Sequence, residues 1–159
     1  MYSIFFVITK FFLIFFRTFE FVKNSGRKQT NHIWNNIPLE DYERHMRHEN
    51  VGQLQLLSEL TGKYLRCYRP DTVLFLGVSG GNGLEHIDNR ITRKVIGIDI
   101  NREYLDETKK RFSDRIPGLA LVNLDINESK RTIARVYMVW AALIFEYVDM
   151  EIVRHESRF

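Results

Sequence analysis

The feature that most constrains the fold is a glycine-rich turn directly after a short apolar run, in LFLGVSGGNGLEH at residues 74–86. Four glycines fall within the seven positions 77–83. The preceding run, residues 72–78, is rich in strand formers and too short for a helix, so it predicts a buried parallel strand. Since LEHID can begin a helix, the pattern predicts a strand, a glycine turn and a helix whose backbone N–H groups face a ligand.

Further predicted strands alternate with helices after this turn. KVIGIDIN (94–101) predicts a strand ending in Asp99, REYLDETKKRF a helix, and GLALVNLDIN (118–127) a strand ending in Asp125. A fourth apolar run occupies residues 136–145. The alternation predicts an α/β fold, a parallel sheet flanked by helices, with its ligand at the carboxyl ends of the strands. Each aspartate is then a candidate ligand contact, and the alternative is that each caps the helix after its strand.

The segment before the glycine turn predicts a helical cap. Pro38 interrupts regular structure, Asp41 can cap a following helix, and the apolar spacing of VGQLQLLSELTGKYLRCY predicts an amphipathic helix on the core. His45, His48 and Glu49 suggest a metal site, but the sequence offers no obvious third ligand and the spacing matches no zinc motif. We therefore predict no metal.

The N-terminus, MYSIFFVITKFFLIFFRTFEFV, holds eight of the twelve phenylalanines. It has no basic start or small-residue cleavage site, as a signal peptide would, and Lys10 in its middle disfavours a membrane span. Ser3, Lys10, Arg17 and Asn24 recur every seven residues, so on a helix they form a polar stripe suited to a membrane surface. Membrane contact through residues 1–22 is one prediction, and the alternative is that this stretch precedes the real domain.

Charge and cysteine content narrow the partners and the compartment. The chain carries a net charge of +3, but residues 1–31 hold five basic side chains against one acidic, so the remainder sums to −1. This disfavours nucleic acid as an obligatory partner. Cys67 is the only cysteine, which excludes an internal disulfide and fits a reducing compartment, so we predict a cytoplasmic protein. We divide the chain into an apolar segment with a polar linker (1–31), a cap (32–70) and an α/β domain (71–159).

The glycine spacing GxxGGxG departs from the dinucleotide pattern GxGxxG, because Ser79 stands where the second glycine would. From Trp34 to Val148 the sequence resembles the class I S-adenosylmethionine-dependent methyltransferases, and its order and spacing resemble their small bacterial members. The motifs that carry the resemblance are WNNIPLEDYERHM, FLGVSGGNGLEH, VIGIDIN, LVNLDIN and MVWAALIFEYV. It implies a Rossmann-like sheet, S-adenosyl-L-methionine as cofactor, and methyl transfer to a small-molecule acceptor.

The resemblance also implies roles for individual residues. Asp99 takes the ribose hydroxyls, and Asp125 with Ile126 holds the adenine edge. Tyr42, His45 and Met46 of the cap close over the cofactor. The methionine and ribose part is lined by Gly77, Ser79, Gly81 and Gly83. The candidates for a catalytic base are Tyr42, His45, Glu146 and Tyr147.

The sequence departs from the family pattern in several places. Phe75 stands where the family often has an acidic residue two positions before the first glycine. The family's fourth strand often opens with an acidic residue near the reacting methyl, and this sequence has Tyr137 there. No Asn-Pro-Pro signature of amino-group methylators is present. The family's sheet has seven strands and four are predicted here, so we expect a C-terminally truncated copy whose fourth strand offers an apolar edge for association. Two alternatives stay open. One is a non-catalytic remnant or binding module. The other is an NAD-dependent oxidoreductase, and the loop spacing and Asp125 disfavour this second alternative.

Overall fold

The computed structural model describes residues 12–17, 33–49, 51–126 and 136–144. The strands are β1 (Phe12–Arg17), β2 (Thr72–Leu76), β3 (Lys94–Asp99), β4 (Leu119–Asn123) and β5 (Val136–Ala142). The α-helices are α1 (Leu39–Arg47), α2 (Gln53–Tyr68) and α3 (Arg102–Phe112), and short 3-10 helices span Ile33–Asn36 and Leu84–His86.

All five strands form one sheet in the order β1-β5-β2-β3-β4. The strands β5, β2, β3 and β4 are parallel. In chain order these four run 4-1-2-3, the arrangement that begins a Rossmann-like sheet, so the predicted α/β fold class is confirmed. The order reverses between β2 and β5, and ligands of such sheets bind at that point, outside the carboxyl ends of the strands.

The outer edge of β5 is paired within the chain, so the prediction of a free apolar edge there is wrong. β1 runs antiparallel to β5, with Ile14 opposite Trp140 and Phe15 opposite Val139. A surface helix, which one of the two interpretations of the N-terminus requires, does not form at residues 12–17, because Phe, Leu and Ile favour a strand where an unpaired edge offers ladder hydrogen bonds. Among the described residues, no helix is long and apolar enough to cross a membrane.

Alternation along the central strands divides the core into two clusters. Val73 and Phe75 of β2 point to the face covered by α2 and α3, where they meet Leu65 and Leu105. Leu74 and its neighbours on the other face form the second cluster. Phe75 is 2% exposed and packs in the core, and burying such a side chain contributes about 1.5–3 kcal/mol to the free energy of unfolding.

Of the helices predicted at 51–68, directly after the glycine turn and at 102–112, the first and the last form. The first is α2, whose C-cap Arg69 has a left-handed conformation just before Pro70. REYLDETKKRF forms α3 over its full length. After the glycine turn, however, only the 3-10 turn Leu84–His86 forms, so the expectation of a helix N-terminus facing a ligand is wrong. The predicted domain boundaries stay predictions.

Asp41 lies in the first turn of α1 and is not its N-cap, which is Pro38. The expectation that Asp41 caps this helix is therefore wrong. Pro38 fixes an extended backbone before the helix and lacks an N–H, so the helix begins three residues earlier than an aspartate cap would place it. A carboxylate in the first turn still interacts favourably with the helix dipole.

Candidate functional site

A cavity of about 430 Å³ lies at the carboxyl ends of the parallel strands, beneath the cap. Its volume falls in the range of small-molecule sites, and its lining is mostly apolar with a few polar groups. The sheet side is lined by residues at or just beyond the ends of β2, β3, β4 and β5, among them Gly77, Ser79, Asp99, Ile100, Leu124, Asp125, Ile126, Leu143 and Ile144. The cap side is lined by Trp34, Ile37, Asp41, Tyr42, His45, Met46 and Gln53.

Asp99 joins the end of β3 to the glycine turn. One carboxylate oxygen accepts the backbone N–H of Ser79 at 2.8 Å, and the other accepts the N–H of Asn101 at 2.9 Å. The side chain is 8% exposed, and burial raises its pKa above the ordinary value, against the lowering effect of these backbone hydrogen bonds. The alternative that Asp99 caps the next helix is wrong, because Asn101 accepts the N–H groups of Glu103 and Tyr104.

The end of β4 brings Asp125 and Ile126 to the same cavity. Leu124 donates its N–H to the carbonyl of Asp99 at 3.0 Å, and the Asn123 amide donates to the carbonyl of Ile100 at 2.7 Å. These contacts hold the ends of β3 and β4 together beyond the last paired residues of the two strands. Asp125 and Ile126 therefore line the cavity beside Asp99.

The structure separates the predicted glycine-turn residues into two groups. Gly77 and Ser79 line the cavity. Gly81 and Gly83 do not belong to its lining among the described residues, and they face the protein interior. A Cβ on Gly81 would lie 2.6 Å from the ring of Phe112, and one on Gly83 would lie 2.7 Å from the hydroxyl of Thr61. These two glycines allow close packing of the turn on α3 and α2.

Three aromatic side chains cluster where the cap meets α3. Tyr42 stacks on Tyr104 with ring centroids 6.1 Å apart and meets Trp34 edge-on at 6.0 Å. The Tyr104 hydroxyl donates to the carbonyl of Ile37 at 2.9 Å, and burial raises its pKa to about 12. Tyr104 therefore stays protonated at neutral pH and fixes the cap through a hydrogen bond.

The predicted catalytic candidates are only partly described. Tyr42 and His45 line the cavity, as does Met46. Glu146 and Tyr147 lie outside the described residues. Tyr137, the other departure from the family pattern, is 54% exposed on β5.

Sequence reasoning missed several residues of the lining. Among them are Tyr104 on α3 and Gln53 at the start of α2. Leu143 follows β5 with a φ of +60° and lines the cavity, as does Ser79 with a φ of +48°. Non-glycine residues in this conformation store strain and cluster at binding sites. Positive φ values cannot be read from leucine or serine in a sequence.

Metal ligation has no geometric support in the part of the chain that the structure describes. No group of three or more His, Cys, Asp or Glu side chains there is arranged to hold an ion. His45, His48 and Glu49 lie at the end of α1 or just beyond it.

Comparisons with known proteins give partial overlaps. No protein-family model matches the chain, and a search of curated proteins found no relative. Among solved structures, the methyltransferase domain of bacterial CtHen1 matches 43% of this chain and 40% of its own at 23% identity and a TM-score of 0.37. The plantazolicin methyltransferase BpumL, in complex with SAH and a monoazolic analogue, matches 57% and 35% at 20% identity and a TM-score of 0.40. YcgJ from Bacillus subtilis matches 43% and 29% at 16% identity and a TM-score of 0.36. The chain thus spans less than half the length of each of these structures.

Proposed function

We propose that the chain binds S-adenosyl-L-methionine in this cavity and transfers its methyl group to a small-molecule acceptor. The observation that carries the proposal is the meeting of Gly77, Ser79, Asp99 and Asp125 on one cavity at the switch point of a Rossmann-like sheet. Three separate strand ends supply these residues. Such a convergence of polar groups in a mostly apolar cavity is typical of a ligand site.

The residues present fit this cofactor. The turn at Gly77 and Ser79 brings backbone close to the cavity, where the methionine part would lie. Asp99 has its oxygens held by two N–H groups, and each oxygen keeps a further lone pair for a ribose hydroxyl. Asp125 and Ile126 combine an acceptor with an apolar surface, as an adenine edge requires.

The chain itself has little chemistry to perform. When bound, the cofactor supplies a methyl group activated by its sulfonium. The cavity must align the acceptor with that methyl and exclude water, which is a proximity effect. The cluster of Trp34, Tyr42 and Tyr104 packs the cap against α3 beside the cavity. His45 lines the cavity and is our candidate for a base if the acceptor must lose a proton.

Calorimetry with S-adenosylhomocysteine and with NAD tests the cofactor assignment. We expect saturable binding of S-adenosylhomocysteine and none of NAD. Asp125→Ala removes an acceptor at the adenine edge and is expected to weaken binding by about tenfold to a hundredfold. Asp71→Ala is the matched control, because Asp71 pairs with Arg93 at the opposite end of β2. Binding of NAD alone would contradict the proposal, and binding without methyl transfer would favour the non-catalytic alternative.

A further inference from the structure

Arg111, near the end of α3, contacts three different segments with one guanidinium group. Its Nε donates to Glu107 on the same helix at 2.9 Å. Its Nη1 donates to Glu43 of α1 at 2.5 Å and to the carbonyl of Gly80 at 3.1 Å. The cap, the glycine turn and α3 therefore meet at this side chain.

The packing around Gly80 shows how closely the cap rests on the turn. A Cβ built on Gly80 would lie 2.5 Å from a carboxylate oxygen of Glu43 and 3.0 Å from a methyl group of Leu39. The Glu43 side chain is 13% exposed and that of Arg111 is 36% exposed. This ion pair is thus partly shielded from solvent, whereas Arg44 and Arg102, which pair within their own helices, are 70% and 74% exposed.

The turn held in this way is one of the segments that line the cavity. Ser79, next to Gly80, lines the cavity with its N–H on Asp99 and its carbonyl accepting the Thr108 hydroxyl at 2.6 Å. The start of the cap is fixed separately, because Asn101 donates to the carbonyl of Trp34 at 2.8 Å. Arg111 lies on α3, the helix that Asn101 caps, and it holds the later part of the cap through Glu43.

We propose that Arg111 is a positioning residue for the cofactor site, which fixes α1 on the glycine turn and thereby holds Ser79 in place. The expected effect on cofactor binding rests on the proposed function, in which the glycine turn faces the cofactor. A guanidinium has five N–H donors in a planar fork, whereas a lysine ammonium is a point charge. A lysine at this position keeps the attraction to Glu43 and loses the simultaneous contacts to Glu107 and Gly80.

The test compares Arg111→Lys and Arg111→Gln with Arg102→Lys and Arg102→Gln in the full chain. Arg102 is the matched control, because it also pairs with an acid four residues away on α3, is 74% exposed, and touches neither the cap nor the turn through that pair. The first measurement is hydrogen exchange of the amides at 77–84 and 39–47. We expect exchange there to accelerate by about tenfold in both Arg111 variants and to be unchanged in both Arg102 variants.

The second measurement is the affinity for S-adenosylhomocysteine. We expect Kd to rise about tenfold in Arg111→Lys as well as Arg111→Gln, and Glu43→Gln to add little to Arg111→Gln in the double variant. Wild-type behaviour of Arg111→Lys in both measurements would overturn the positioning role. If the wild type binds no S-adenosylhomocysteine, the proposed function fails, and the exchange measurement alone decides whether Arg111 holds the turn.

Discussion

The carboxylate of Asp99 accepts the backbone N–H of Ser79 at 2.8 Å, which links the end of β3 to the turn after β2. The two residues are 20 positions apart in the chain and line the same cavity. The Asp99 carboxylate is buried and holds the backbone of the turn. Its protonation state therefore affects the geometry of the site.

We expect the stabilising contribution of Asp99 to fall as pH rises. Burial raises its pKa in the folded state above the unfolded value of about 3.9, so the folded chain binds more protons between the two values. The free energy of unfolding therefore decreases as pH rises from the unfolded pKa through the folded one. Urea unfolding of the wild type and Asp99→Asn over the acidic range measures this effect. We expect the free energy of unfolding of the wild type, relative to that of Asp99→Asn, to fall as pH rises, and a rise with pH would contradict the prediction.

Removing the Tyr104 hydroxyl is expected to loosen the cap. Tyr104→Phe deletes the hydrogen bond to the carbonyl of Ile37, and we expect a loss of about 0.5–1.5 kcal/mol in the free energy of unfolding. Tyr64→Phe is the control, because the Tyr64 ring packs against Tyr68 and Trp140. Equal losses in the two variants would show that the Ile37 contact contributes nothing of its own.

Gly83 is expected to tolerate no side chain. Its φ is +93° and a Cβ would meet Thr61 at 2.7–2.8 Å, so Gly83→Ala combines a left-handed backbone with overpacking. We expect a loss of about 2–5 kcal/mol in denaturant unfolding. Gly52→Ala separates the two causes, because Gly52 has a φ of +58° and a Cβ there would have its nearest neighbour 4.0 Å away, so the variant should lose only about 1–2 kcal/mol. A loss at Gly83 no larger than at Gly52 would exclude the contact with Thr61.

Proline substitutions distinguish a strand from a helix at the N-terminus. In an antiparallel pair, the N–H groups of Leu13 and Ile14 point to opposite sides of β1, so only one of them donates to β5. Of Leu13→Pro and Ile14→Pro, we expect one to lose about 1–3 kcal/mol more than the other in thermal or urea unfolding. Similar effects of both prolines would indicate that this segment does not pair with β5.

Local patterns predicted the parallel strands and α3 because burial on both faces and a 3.6-residue period leave clear marks in the sequence. The strand β3, predicted over 94–101, forms as Lys94–Asp99. The cavity position of Asp99 and Asp125 follows from the same logic, since parallel strands end at one edge of the sheet.

The helix predicted after the glycine turn does not form, because local hydrogen bonds from side chains to the backbone stabilise turns instead. Glu85 accepts the N–H of Gly83, and Asp88 accepts the N–H of Arg90, so both carboxylates favour turns over a continuing helix. A motif such as LEHID does not show which of these contacts forms.

Long-range pairing accounts for the other failures. The seven-residue polar repeat around β1 suits a helix, yet this segment forms a strand because it pairs with β5, more than 100 residues later. The contacts of Asn101 and Tyr104 with the cap each join residues 67 positions apart. Sequence periodicity reports local structure and carries no information on such partners.

The most direct test of the account is a titration of the isotopically labelled chain with S-adenosylhomocysteine, followed by backbone amide spectra. We expect saturable shifts with one common Kd at the amides of Ser79, Ile100 and Ile126, which line the cavity. We expect no shift at Arg93, which lies beyond the opposite end of the sheet and pairs with Asp71. Unchanged cavity amides at millimolar ligand, or saturable shifts only at amides remote from the cavity, would contradict the proposed cofactor site.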